Sequence, residues 1–307
     1  MIKLIAQRLA TGLPTLFIVV ALSFLLMKMA PGGPFDGERA LDPATRAALD
    51  ARYGLDRPFE DQFAAYVGGL ARGDFGPSMV YRDFSVMDLV RQGLPVSLTL
   101  GSAALLLALM FGIAAGCFAA WREGGWADKA VLFGATLLNA MPTFVTAPLL
   151  GLVFGLWLGM LPVSGWHEGS WRALVLPSVA LALPTLGAVM KLTRAGLADV
   201  LKEDFIRTAR ARGLHPAAIL ARHALKPALM PVVSYLGPAA AGLLTGAVVI
   251  ETVFGLPGLG RYFVQGALNR DYPLVMGVVV LYAALIIAFN LIADLVYGWL
   301  DPRVRAA

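Results

Sequence analysis

The residues able to do chemistry in this chain are few and scattered. Its three histidines, His167, His215 and His223, fall in connecting segments, and its one cysteine, Cys117, sits inside an apolar run. If the apolar runs cross a membrane, the histidines lie on opposite sides of it and cannot ligate one metal. A lone thiol supports neither a disulfide framework nor a thiolate zinc cluster. No G-x-x-x-x-G-K-[ST] is present to cradle nucleotide phosphates, and neither H-E-x-x-H nor G-x-S-x-G occurs. The candidate ionisable groups of the apolar spans are Lys28, Glu251 and Asp294, all near span ends, where a charge is tolerated better than at a bilayer centre. A proton pump or ion-coupled carrier needs carboxylates, histidines or ion ligands at mid-membrane, and the chain offers almost none. The expectation is a chain that is not itself an enzyme and holds no metal or cofactor of its own.

The elements around these residues account for their scarcity. Of 307 residues, 58% are hydrophobic and 15% charged, with a mean hydropathy of +0.73, whereas an ordinary soluble domain is about 25% charged. The apolar residues gather into six stretches, approximately 9–29, 97–120, 130–158, 174–190, 228–249 and 274–300. Each approaches the roughly 20 residues that a helix needs to cross a hydrocarbon layer of about 30 Å. Backbone polar groups cannot stay unpaired in lipid, and period-two alternation is absent, so the fold class is an all-α polytopic membrane protein of six spans. The fourth stretch is the weakest, being short and interrupted by Pro177 and Pro184. Small-xxx-small pairs, Gly112 with Gly116, Gly151 with Gly155 and Gly159, and Gly242 with Gly246, suit a tightly packed bundle.

Orientation follows from the basic residues. Between Lys191 and Lys226 stand Arg194, Lys202, Arg207, Arg210, Arg212 and Arg222 against only Asp199, Glu203 and Asp204. The positive-inside rule makes this segment cytoplasmic, and parity then puts both termini inside, in keeping with Lys3, Arg8, Arg303 and Arg305. The chain divides into a first helix (1–30), an extracytoplasmic segment (31–96) and a core of five spans (97–307) that includes the cytoplasmic segment 191–227. The outer segment reads as ordered. Asp42–Pro43 opens a helix that Gly54 stops, Pro58 opens a second carrying Phe59, Phe63 and Tyr66, and Ser85 caps a short third that leads to Pro95.

The segment 201–227 is too patterned for a tether. Gly213 is a helix stop preceded by arginines, Pro216 suits the first turn of a new helix, and Pro227 limits that helix. Two short helices around a sharp turn would present Phe205, Ile206, Ala209 and Leu220 on a basic knob suited to a groove in another protein. A basic stretch lying on anionic lipid would keep the charge without needing this Gly and Pro punctuation.

Here the chain resembles a known family. Arg207, Thr208, Ala209 and Gly213 match the E-A-A-x-x-x-G motif of ABC importer permeases, with Leu225 and Pro227 near its closing L-P. Arg stands where the motif has Glu, and one extra residue separates Gly213 from Pro227. The strings D-F-I-R-T-A-R-A-R-G at 204–213, A-P-G-G-P-F at 30–35, G-D-F-G-P-S at 73–78, E-T-V-F-G-L-P-G-L-G at 251–260, N-R-D-Y-P-L-V at 269–275 and D-P-R-V-R at 301–305 look like the peptide and nickel branch of those permeases. The short segment between the third and fourth spans and G-E-R-A-L-D at 37–42 look most like the B-type subunits of oligopeptide systems. The resemblance implies an ATP-driven importer in a bacterial inner membrane, with a second, C-type permease, two cytoplasmic ATPases carrying ATP and Mg, and an extracytoplasmic peptide-binding protein as partners. Lipid surrounds the chain, and nucleic acid has no part. By this resemblance Phe205, Ile206, Arg207, Thr208, Ala209, Gly213, Leu214 and Pro216 couple to the ATPase. Asn139, Met141, Pro142, Asn290 and Asp294 are the candidates for lining the path. The alternative is an ATP-independent ion-coupled transporter or channel.

Overall fold

Apolar runs without β periodicity, punctuated by glycine and proline, give helices throughout the computed structural model. The structure describes residues 2–29, 33, 35, 42–81, 83–166 and 170–300. The strings at 30–35, 37–42 and 301–305 lie wholly or mostly outside the described residues, as do His167, Arg303 and Arg305. In order, the helices are α1 (Ile2–Met29), α2 (Pro43–Tyr53), α3 (Phe59–Ala71), α4 (Val86–Trp121), α5 (Trp126–Ala140), α6 (Thr143–Leu150, continued by a π-helical stretch Gly151–Trp157) and α7 (Trp171–Val200). They are followed by α8 (Asp204–Ala211), α9 (Pro216–Ile219, continued by a π-helical stretch Leu220–Ala224), α10 (Leu225–Ala228), α11 (Met230–Val253), α12 (Leu259–Leu268) and α13 (Tyr272–Leu300). Among the described residues five helices, α1, α4, α7, α11 and α13, are long and apolar enough to cross a membrane, or six spans if α5 and α6 count as one broken span. The chain is a multi-pass membrane protein.

Three expectations change. The third stretch is not one straight helix: α5 and α6 with its extension meet at 101°. Pro142 supplies no amide donor and drives the preceding Met141 to extended backbone, φ −77° and ψ 122°, so helix cannot run through. Ser85 does not open a separate short helix. It forms a capping box with Asp88, each side chain bonding the other's backbone amide, at the head of a 36-residue α4 that contains Pro95. The fourth stretch is not marginal, because α7 keeps both Pro177 and Pro184 inside 30 residues of helix.

The chain divides into two compact units. One comprises Met1–Ile5, Leu98–Leu256 and Ile286–Ala307. Its centre is α7, of whose most apolar 18-residue window 61% is buried, against 33% or less in the other straight spans. Small residues set the spacing here. A Cβ on Gly187 would meet the Ala135 carbonyl of α5 at 2.5 Å, and one on Gly116 would meet the Met190 carbonyl of α7 at 2.7 Å. Without side chains at these points the backbones approach closely, which is how helices pack when lipid removes the hydrophobic drive between them.

The other unit comprises Ala6–Ser97 and Pro257–Leu285. Phe24 of α1 lies 5.3 Å, centroid to centroid, from both Phe59 and Phe63 of α3, and Phe17 joins Phe63 at 6.2 Å. α3 therefore leans on α1 rather than standing free. Two of the family strings meet in this unit. The buried Asp271 carboxylate accepts the Ser78 hydroxyl and the amides of Met79 (3.1 Å), Val80 (3.3 Å) and Leu274 (3.3 Å). A carboxylate out of water needs such donors, and here they tie G-D-F-G-P-S to N-R-D-Y-P-L-V.

Candidate functional site

The segment between α7 and α11 folds as an elbow. α8 ends in a pair of bonds that reverse the chain: the Gly213 amide donates to the Arg210 carbonyl at 2.9 Å and the Leu214 amide to the Ala209 carbonyl at 3.3 Å. This closure needs a left-handed residue after the cap, and Gly213 supplies it with φ of 74°. His215 then caps α9, its Nδ1 accepting the Ala217 amide at 3.3 Å, and Pro216 occupies the first helical position, where no amide bond is missed. Pro227 stands next to the end of the second arm rather than after it. It lies inside α10, one residue before that helix ends at Ala228, and the chain reaches α10 through a π-helical stretch, Leu220–Ala224.

The two faces of the elbow differ in kind. Ile206 and Ala209, expected on the presented surface, are instead buried with Ile219, Ala224 and Ala228 against Leu197 and Ala198 of α7 and Ala120 of α4. Leu220 is partly buried on the same cluster. An eight-residue helix can turn its apolar stripe to only one side, and its own chain takes it. The outward face carries Phe205 and Leu214, 47% and 40% exposed, with Arg207, Thr208, Arg210, Arg212, Gly213 and Pro216 around them. Among the described residues Arg207 pairs only with the neighbouring exposed Asp204, at 3.2 Å. Among the described residues no carboxylate lies within 4 Å of Arg210 or Arg212. The result is an apolar pair ringed by cations, fixed from beneath.

Below the elbow, residues that the sequence reading passed over set its base. Asp128, at the start of α5, accepts from Arg194 Nε and Nη2 and from the Gly124 amide, the last at 2.9 Å. Glu123 in the α4–α5 turn receives Lys202 at 2.9 Å and lies 3.7 Å from Arg194. The only hint in the sequence is that two carboxylates interrupt an otherwise basic side. They bind the C-terminal end of α7, and Lys202 just beyond it, to the α4–α5 turn and the start of α5.

The path candidates fall into two groups on different helices. Asn139, Met141 and Pro142 sit together at the α5–α6 break, and the exposed Asn139 donates to the Pro184 carbonyl of α7 at 3.4 Å. Asn290 bonds its own helix at the Ile286 carbonyl, 2.9 Å away, and its Oδ1 lies 2.5 Å from where a Cβ of Gly237 would stand. Asp294 is one turn further along α13. Polar atoms thus gather at a proline break and at a glycine contact, the places where a helical wall gives.

The family model described as "Binding-protein-dependent transport system inner membrane component" matches residues 112–306, which contain the whole elbow and every path candidate. The chain is 48% identical over 305 residues, 99% of its length and 100% of the relative's, to the oligopeptide transport system permease protein OppB of Salmonella typhimurium. It is 41% identical over 291 residues, 95% of its length and 94% of the relative's, to the dipeptide transport system permease protein DppB of Bacillus subtilis. Among solved structures, the MetNI methionine ABC transporter in an inward-facing conformation aligns with a TM-score of 0.58 at 16% identity, over 70% of this chain and 97% of that one. An amino acid ABC transporter crystallised with histidines aligns at 0.51 and 19% identity, over 69% and 94%. These two likenesses speak to the fold, and the family match and the near full-length relatives to descent: the chain belongs to the binding-protein-dependent transport system inner membrane components.

Proposed function

We propose that this chain is the permease subunit of an ATP-driven importer of peptides, oligopeptides in particular, and forms one half of the transmembrane path. In this reading six spans cross a bacterial inner membrane with both termini and the elbow in the cytoplasm and residues 31–96 outside. A second, C-type permease completes the path, two cytoplasmic ATPases bind and hydrolyse ATP with Mg, and an extracytoplasmic binding protein delivers the peptide. The near full-length identity to peptide permeases supports the substrate class.

The observation that carries the coupling role is the two-faced elbow. Switching a two-state transporter from 1:99 to 99:1 takes about 5.5 kcal/mol of differential interaction. An exposed ion pair contributes about 1 kcal/mol at most, so cations alone do not suffice. Phe205 and Leu214 add apolar surface to the outward face, while Ile206 and Ala209 pass displacement to α7 and α4 instead of letting the elbow slide. ATP closes the motor, the elbow follows, and the walls near Asn139–Pro142 and Asn290–Asp294 repack to open the other side.

The test is purification and reconstitution. Stoichiometric ATPase subunits should copurify with the chain, and vesicles holding the full assembly should import peptide only when ATP is inside. A cysteine at Arg212 should react with membrane-impermeant maleimide from the cytoplasmic side alone. Import driven by an ion gradient in the absence of any ATPase, or labelling from outside, would overturn the reading.

A further inference from the structure

The unit built from α1 to α3, the start of α4, α12 and the start of α13 contains a cavity of about 340 Å³ that the transport mechanism leaves unused. That volume lies in the range of small-ligand sites, about 300–1,000 Å³. Its lining holds four cations, Lys28, Arg52, Arg57 and Arg72, and one carboxylate, Asp74. Asp74 already accepts the Gly76 amide at 2.9 Å. Among the described residues none of the four cations has a carboxylate within 4 Å. Lys28 and Arg52 instead sit over aromatic rings, Lys28 6.0 Å from the Phe24 centroid and Arg52 5.9 Å from that of Tyr53. Four like charges that converge on one hollow with a single carboxylate among the described residues repel one another, and an anion relieves that repulsion.

Two further observations narrow the anion. Tyr66 lines the cavity, and its buried hydroxyl has no hydrogen-bond partner among the described residues. Burial pushes its pKa up to about 12, so the phenol stays a donor at any physiological pH. Lys28 belongs to the last turn of α1, where the apolar helix ends at a membrane surface, and Leu22, Leu25, Leu26 and Met29 beside it are exposed. A ligand held here has its charged part at headgroup depth and apolar helix alongside it.

We propose that this cavity binds the phosphate of an anionic phospholipid, with Arg52, Arg57, Arg72 and Lys28 around the headgroup and an acyl chain lying on the exposed side of α1. A lysine at the end of an apolar span, basic groups at headgroup level and an apolar stripe for the tail match one amphiphile at three points. The site would fix the outer helices to the first span through a lipid. It makes no use of the transport reading: which side of the membrane it faces does not enter, and its readout involves neither ATP nor peptide.

The experiment is native mass spectrometry of the full chain, as purified with its partners, in detergent supplemented with phosphatidylglycerol, phosphatidylcholine or inorganic phosphate. Phosphatidylglycerol adducts should survive activation at least tenfold better than phosphatidylcholine adducts. Each cation near a headgroup is worth about fivefold in binding, so the triple variant R52Q/R57Q/R72Q should lose roughly a hundredfold. R52K/R57K/R72K, which keeps the charge, should retain most of the binding, and K28Q alone should show the single-step loss if the triple variant does not fold. Arg46→Gln, whose partner Asp50 lies outside the cavity, should change nothing. Equal retention of the two lipids, undiminished adducts in the charge-neutral variants, or saturable binding of inorganic phosphate without lipid adducts would each overturn the proposal.

Discussion

Arg194 clasps Asp128 with two hydrogen bonds, Nε to Oδ1 at 3.0 Å and Nη2 to Oδ2 at 2.7 Å, so the end of α7 is bolted to the start of α5. The pair is unequal. The Asp128 side chain is 3% exposed and that of Arg194 23%. Arg194 also has Glu123 at 3.7 Å, whereas Asp128 keeps only the Gly124 amide if the guanidinium is removed. Removing one partner of a buried pair is costly mainly because the other is left charged and dry. Arg194→Ala should therefore destabilise by about 3 kcal/mol and Asp128→Asn by about 1–2 kcal/mol, read by chemical denaturation in detergent. The reverse order would mean that the carboxylate is better solvated than its burial indicates.

Close packing around α7 makes a second, sharper contrast. A Cβ on Gly196 would stand 2.3 Å from the Ala228 carbonyl, a backbone atom with no rotamer to escape into. Gly242, on α11, has nothing within 4 Å. Helix propensity favours Ala over Gly by about 1 kcal/mol at both sites. Gly196→Ala should still lower stability by about 1–3 kcal/mol through overpacking, while Gly242→Ala leaves the isolated chain unchanged or slightly more stable. Thermal unfolding of the two variants side by side checks this, and equal midpoints would contradict the helix spacing seen here.

These contacts mark what the sequence could and could not reveal. Apolar runs announced the spans, and Gly213 and Pro216 announced the elbow, because both depend on local chemistry: transfer into lipid, a positive φ, a missing amide. Pro177 and Pro184 misled in the opposite direction. They weakened the appearance of α7 as a span, yet that helix is the most buried, since neighbours compensate for a proline where solvent would not. The inward turn of Ile206 and Ala209 depends on Leu197, Ala198 and Ala120 being beneath them, and the Asp128–Arg194 fork joins residues 66 apart. No local pattern encodes which face of an eight-residue helix its own chain will claim.

Ser78 and Asp271 provide a test of the family strings, separated by 193 residues and joined by one hydrogen bond. Ser78 Oγ also accepts the amides of Val80 (3.2 Å) and Tyr81 (2.8 Å). Ser78→Ala removes a donor from a fully buried carboxylate and an acceptor from two amides, for about 2–3 kcal/mol. Ser78→Thr keeps the hydroxyl and should recover most of it. Hydrogen exchange should show the loss at Met79, Val80 and Leu274, whose amides share the same carboxylate, and unchanged protection there would refute the knot.

Gly213 separates the elbow's shape from its chemistry. Its φ of 74° suits glycine, and nothing lies within 4 Å of the place a Cβ would take. A side chain there meets no neighbour, so the penalty of substitution is conformational: about 1–2 kcal/mol for an ordinary residue forced left-handed, and more for a β-branched one. Gly213→Val should relieve that strain by unwinding the end of α8, shifting Phe205 and Leu214 while leaving the buried Ile206 cluster in place. In the reconstituted importer, ATP hydrolysis should then continue while peptide uptake falls at least tenfold. Gly213→Asn, which tolerates the left-handed region, should restore uptake without restoring glycine. If valine leaves uptake intact, the turn is not what transmits force; if asparagine fails as badly as valine, space rather than backbone conformation is the constraint, and the outward face of the elbow lies closer to its partner than the free surface suggests.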